Sequence, residues 1–174
     1  MTQNVRRGFL KQSLGALAGP ASVRVLGAND RIRIAQIGCG GAGRNNLISC
    51  LKAGPTECVA VCDIDDAQSA IAVKRVREET STPEPKLVTR DFRRVLDLRD
   101  LDAVIISTPD HWHALPMIMA CQSGRDVYVQ KPLATSIAEG RMMAEAAHRY
   151  NRVVQVGTQQ RSACLLYTSP SPRD

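Results

Sequence analysis

The run Arg31-Ile32-Arg33-Ile34-Ala35-Gln36-Ile37-Gly38-Cys39-Gly40-Gly41-Ala42-Gly43 decides the fold. Apolar and polar residues alternate up to Ile37, as in a strand, and glycines then fall at 38, 40 and 43 ahead of a helical stretch. A second apolar run, Cys58-Val59-Ala60-Val61-Cys62, closes on Asp63, twenty positions after Gly43. Strand, glycine turn, helix, strand and terminal carboxylate in this order form a dinucleotide-binding unit.

Each position has a physical task. Gly38 permits the tight turn off the strand, Gly40 lets the backbone approach a pyrophosphate with no Cβ between them, and Gly43 lets helix and strand pack closely. Gly41 and Ala42 complete the turn at a helix N-terminus, whose unpaired N–H groups and dipole attract phosphate. Asp63 stands where a carboxylate accepts both hydroxyls of an adenosine ribose and repels a 2′-phosphate. Its neighbours Ile64, Asp65 and Asp66 supply no arginine to reverse that preference. NAD is therefore the expected cofactor, ahead of NADP. The other reading of the same residues is a glycine turn in an unrelated α/β protein.

Outward from this unit the chain keeps alternating strand and helix across short connections, the pattern of a parallel sheet covered on both faces. Strands are expected at 31–37, 58–63, 86–90, 103–107, 126–130 and 153–156. Helices are expected at 43–53, 66–79, 91–97, 113–123 and 136 to about 150. Gly124 ends the fourth helix, and Ser136 with Glu139 forms a capping box that opens the fifth. Six strands so spaced predict an α/β, Rossmann-type doubly wound parallel sheet.

Ligands of such sheets bind outside the strands' carboxyl ends, which directs attention to two further motifs. The fourth strand runs into Ser107-Thr108-Pro109-Asp110-His111-Trp112-His113-Ala114, placing a tryptophan between two histidines on the cofactor side. Each histidine alone reads equally as a cap or a packing residue, and His113 fits the start of a helix. The fifth strand ends in Gln130-Lys131-Pro132. A lysine there, fixed by the proline, can face the nicotinamide edge and donate to, or exchange a proton with, a substrate oxygen. The alternative is a surface lysine in a strand–helix loop.

Taken together, residues 31–162 resemble the glucose–fructose oxidoreductase, inositol dehydrogenase and MocA group (Gfo/Idh/MocA). The resemblance rests on the glycine turn, Asp63, the segment 107–114, Lys131-Pro132 and the closing Val153-Val154-Gln155-Val156-Gly157-Thr158-Gln159-Gln160-Arg161-Ser162. It implies a catalytic Lys131 and a cofactor bordered by Ser107, Thr108, Pro109, His113, Gln130, Lys131 and Pro132. The family tripeptide is Glu-Lys-Pro; Gln130 replaces the glutamate and removes a charge. The resemblance also implies a second α/β substrate domain, missing here, and a homo-oligomer in the full-length protein.

Composition narrows the remaining classes. The net charge is +6, and Arg6, Arg7, Lys11 and Arg24 against Asp30 supply half of it. The body therefore carries interleaved charges with no basic stripe, which argues against nucleic acid as a partner. The cysteines within the body, Cys39, Cys50, Cys58, Cys62 and Cys121, show no metal-ligand spacing; no metal site is expected. They read as buried or turn thiols, with Cys58 and Cys62 on the same side of one strand.

The ends read differently from the body. Residues 1–30, with Arg6-Arg7-Gly8-Phe9-Leu10-Lys11 and a short small-residue stretch, resemble a twin-arginine leader; a basic tail is the alternative. The leader reading expects the twin-arginine export machinery as a partner and the periplasm or cell envelope as location; the tail reading leaves the protein in the cytoplasm. Residues 31–157 form the NAD-binding domain, and 158–163 begin a junction to the missing domain. Residues 164–174, Cys-Leu-Leu-Tyr-Thr-Ser-Pro-Ser-Pro-Arg-Asp, read as the translation of a transposase-type sequencing adapter. The expected activity is hydride transfer between NAD and a sugar or polyol carbinol, with the fragment itself inactive. Its rivals are a glycoside hydrolase using NAD for transient oxidation and elimination, and a non-catalytic NAD-binding sensor.

Overall fold

A computed structural model describes residues 31–158. The leader expected at 1–30, the junction expected beyond 158 and the adapter-like stretch 164–174 lie outside the described residues. The elements run β1 (Ile32–Ile37), α1 (Gly41–Ala53), β2 (Thr56–Cys62), α2 (Asp66–Glu79), β3 (Leu87–Thr89), α3 (Phe92–Leu96), β4 (Ala103–Ile106), a 3-10 turn (Asp110–Trp112), α4 (Ala114–Gln122), β5 (Asp126–Gln130), α5 (Ile137–Arg149) and β6 (Val154–Gly157). The six strands lie in the order β3-β2-β1-β4-β5-β6, and every pairing is parallel. This is the doubly wound α/β sheet expected from the sequence. Its carboxyl ends share one edge, and the order reverses between β1 and β4, where a ligand crevice opens.

The strands are apolar on both faces because helices cover both. On one side Leu47, Ile48 and Leu51 of α1, with Ala72 and Val76 of α2, pack on Ile34, Val61 and Ile105. On the other, Val95, Met117, Ala120, Met143 and Ala146 of α3–α5 pack on Ala35, Ile37, Val104, Ile106 and Val129. Burying each Leu, Ile or Met of these layers contributes roughly 1.5–3 kcal/mol. Ser136 and Glu139 form the expected reciprocal capping box on α5, and Gly124, at φ +79°, follows the end of α4.

Some local expectations are corrected. Helix α1 begins at Gly41, two residues ahead of its expected start, because Gly40 in extended conformation (φ −59°, ψ 179°) serves as its N-cap. A 3-10 turn at Asp110–Trp112 precedes α4. Cys58 and Cys62 do not share a face: Cys58 packs with Ile34 and Leu47, whereas Cys62 packs with Ile37 and Phe92. The cause is a register shift in the β1–β2 ladder. Ile34 pairs with Cys58 and Ala35 with Ala60, so Val59 is an extra residue that reverses the alternation.

All five body thiols are free, and all but the half-buried Cys50 are buried. Burial pushes Cys39, Cys58 and Cys62 up to about 12, with the Asp63 charge adding at Cys39 and Cys62. A thiol held above its ordinary 9.0 favours the fold fully below that pH. That contribution is lost as the pH climbs towards 12, because the unfolded chain ionises first. The melting temperature should thus fall across this window, and Cys58→Ala should flatten the fall; melts followed by circular dichroism across that range check both. Among the described residues no helix is long and apolar enough to cross a membrane.

Candidate functional site

The four loop glycines divide into two kinds. Gly38 has φ +87°, and a Cβ there would lie 2.6 Å from the Ser107 carbonyl carbon and the Thr108 nitrogen. A Cβ on Gly43 would lie 2.1 Å from the Gly38 oxygen. The protein's own packing demands these two. A Cβ on Gly40 or Gly41 would meet nothing within 4 Å, and both residues, with Ala42, are exposed. No side chain caps α1 at this end, and its first turn carries no acidic residue. Open backbone at an uncapped helix N-terminus fits a pyrophosphate.

Three side chains hold this loop in shape. The Asp63 carboxylate accepts the Cys39 N–H at 2.6 Å through one oxygen and the Asp65 N–H at 2.9 Å through the other. Arg44 donates to the Cys39 carbonyl at 2.7 Å and also to Gln68. Gln36, fully buried, donates to the Gly38 carbonyl at 2.6 Å. Each Asp63 oxygen retains a further lone pair, and the half-buried carboxylate lines the cleft, so ribose hydroxyls can still be accepted.

The cleft at the switch point has a volume of about 340 Å³. Gly38, Asp63 and Ile64 line one side, Thr108, Pro109 and Trp112 the other, and Arg90, Phe92 and Arg93 close the end. The last three were missed at the level of sequence. The strand order carries the signal that could have found them, because β3 pairs with β2 and delivers its carboxyl end beside Asp63. Arg90 makes a two-pronged ion pair with Asp66. Ser107 accepts a long hydrogen bond of 3.4 Å from Asn46 of α1, and the Thr108 hydroxyl donates to the Trp112 carbonyl at 3.2 Å.

Lys131 and Pro132 are exposed, on the next loop along the same sheet edge and outside this cleft. Gln130 and His113, both expected to border the cofactor, also lie outside the lining of this cleft. Gln130 is buried, and its Oε1 accepts the N–H of Lys131 at 2.9 Å. It packs so tightly over Gly157 that a Cβ there would lie 2.6 Å from that oxygen. His113 is buried with both ring nitrogens engaged by carbonyl oxygens. Among the described residues no cluster of His, Cys, Asp and Glu could hold a metal ion.

Residues 32–158 match the Gfo/Idh/MocA family, described as an oxidoreductase family with an NAD-binding Rossmann fold. The chain belongs to this family. Its Gfo/Idh/MocA domain is similar to the WlbA dehydrogenase of Chromobacterium violaceum, whose structure holds NADH and UDP-GlcNAcA. That likeness has 31% identity and a TM-score of 0.63, and covers 80% of this chain and 39% of the other. The myo-inositol 2-dehydrogenase of Lactobacillus plantarum is similar at 25% identity and a TM-score of 0.66, over 78% of this chain and 38% of that one. A glycosyl hydrolase family 109 protein from a Shewanella species is 32% identical over 123 residues, which is 69% of this chain. The chain spans 27% of that relative's length. The Gfo/Idh/MocA domain described here is thus the NAD-binding part of an oxidoreductase-family protein.

Proposed function

We propose that this domain serves an oxidoreductase that moves hydride between NAD and a sugar or polyol carbinol. The observation that carries the reading is the common sheet edge on which β1, β2 and β5 deliver the glycine turn, Asp63 and Lys131. Gly40, Gly41 and Ala42 would hold the pyrophosphate and Asp63 the adenosine ribose. Ser107, Thr108 and Pro109 would border the cofactor, and Lys131 would exchange a proton with the carbinol oxygen. When bound, NAD supplies the hydride acceptor. The Asp63 carboxylate disfavours a 2′-phosphate, so NAD is favoured over NADP. The substrate would be completed by a second domain, with homo-oligomers and twin-arginine export as further parts of the same reading.

The likeness to a glycosyl hydrolase family 109 protein favours one alternative, a glycosidase in which NAD is reduced and reoxidised within each turnover. Two measurements test these readings. Trp112 is the chain's single tryptophan and lines the cleft, so its fluorescence follows cofactor titration directly. NADH should quench it with an affinity more than about tenfold above that of NADPH, because a 2′-phosphate would face the Asp63 carboxylate. A panel of sugars and glycosides, supplied to the full-length protein, then separates the two chemistries. NADH accumulation supports the dehydrogenase, sugar release without net NADH supports the glycosidase, and neither product overturns both.

A further inference from the structure

His113 is 1% exposed, and its side chain makes no cap to α4 although the residue occupies the N-cap position. Its Nδ1 lies 2.6 Å from the Pro132 carbonyl oxygen and its Nε2 2.8 Å from the Thr108 carbonyl oxygen. The ring of His113 thus bridges the two carbonyls, each within hydrogen-bond distance of one ring nitrogen. The two carbonyls belong to different loops, one after β4 and one after β5. The ladder between these strands runs from Ala103 and Asp126 to Ile106 and Val129, and stops short of both loops. Among the described residues no other hydrogen bond joins them.

The Thr108 end of this link also touches the dinucleotide turn, since Gly38 sits so close to Thr108 that a Cβ would overlap its nitrogen. The Pro132 end adjoins Lys131. A continuous line of contacts thus runs from Gly38 through Thr108 and His113 to the lysine. We propose that His113 is a positioning residue, holding Lys131 in register with the dinucleotide turn by bridging the carbonyls of Thr108 and Pro132. The proposal rests on Lys131 acting at the substrate oxygen as proposed above. Without the ring, the 131–135 loop loses its hydrogen-bonded link to the loop after β4.

The test uses the 174-residue chain labelled with 15N-lysine, Lys131→Arg assigning the Lys131 backbone signal. His113→Phe keeps a ring and removes both nitrogens; His113→Gln keeps a hydrogen-bonding group. In His113→Phe the Lys131 N–H, bonded to Gln130 at 2.9 Å, should exchange with solvent about tenfold faster or more, while NADH affinity read from Trp112 falls by no more than about tenfold. His113→Gln should restore part of the protection. An unchanged Lys131 exchange rate in folded His113→Phe overturns the proposal. If that variant does not fold, the ring protons of the wild-type chain decide. A slowly exchanging ring N–H signal from His113 supports the tether, and a ring N–H that exchanges freely with solvent overturns it. Failure of the wild-type chain to bind NADH would instead overturn the cofactor reading and leave the ring-proton result standing.

Discussion

Gly43→Ala abolishes NAD binding and destabilises the fold by about 3 kcal/mol or more, a cost at the upper end for overpacking. The new Cβ would sit 2.1 Å from the Gly38 oxygen, a backbone atom that cannot swing aside, and 3.0 Å from Gln36. Relief requires α1 to lift off β1, which also breaks the seat of the pyrophosphate. Gly40→Ala gives the contrast. Its backbone angles suit any residue and its Cβ meets no protein atom, so the melting temperature should stay unchanged. The methyl group would stand where the pyrophosphate approaches, and NAD affinity should drop about 10- to 200-fold. Paired thermal melts and Trp112 titrations of the two variants check both. A Gly40→Ala chain that binds NAD normally would remove the glycine turn from the cofactor site.

Lys131→Met should lower kcat about 10²–10⁴-fold in the full-length protein, the range for loss of a general acid–base group, with a far smaller effect on NAD affinity. Lys131→Arg discriminates charge from proton transfer. A guanidinium keeps the positive charge but does not give up its proton near neutral pH. Recovery of little activity by arginine supports proton exchange at the substrate oxygen; full recovery would reduce Lys131 to an electrostatic anchor. A Lys131→Met protein with undiminished turnover would transfer the role to another residue. Initial rates of the three proteins with a common substrate provide the comparison.

The sheet was legible because each βα unit carries its own local signals. Alternation, glycine spacing and the Ser136–Glu139 box act within a few residues of where they are read. The β2 bulge was not legible, since Val59 looks like any other strand residue until β1 imposes its register. The site divides along the same line. Gly38 and Gly43 announce themselves because their tasks are set by backbone geometry close at hand. His113 and Gln130 were assigned to the cofactor through the family resemblance, which carries no information on their hydrogen bonds. Their partners are backbone groups, and the Pro132 carbonyl lies nineteen residues from His113 in sequence. Arg90, Phe92 and Arg93 join the cleft only through the lateral order of strands, which single-chain periodicity does not encode.

The braces on the glycine turn carry a consequence for how the cofactor arrives. Asp63, Arg44 and Gln36 fix the turn from three directions in the chain as it stands. The entropy of ordering that segment is therefore spent during folding, and a dinucleotide docks onto a finished surface. Association at the pyrophosphate end is then a single encounter without a slow rearrangement, and little of the binding free energy is diverted into shaping the loop. Affinity among variants that keep these braces should accordingly be governed by how long the cofactor stays, not by how often it is captured.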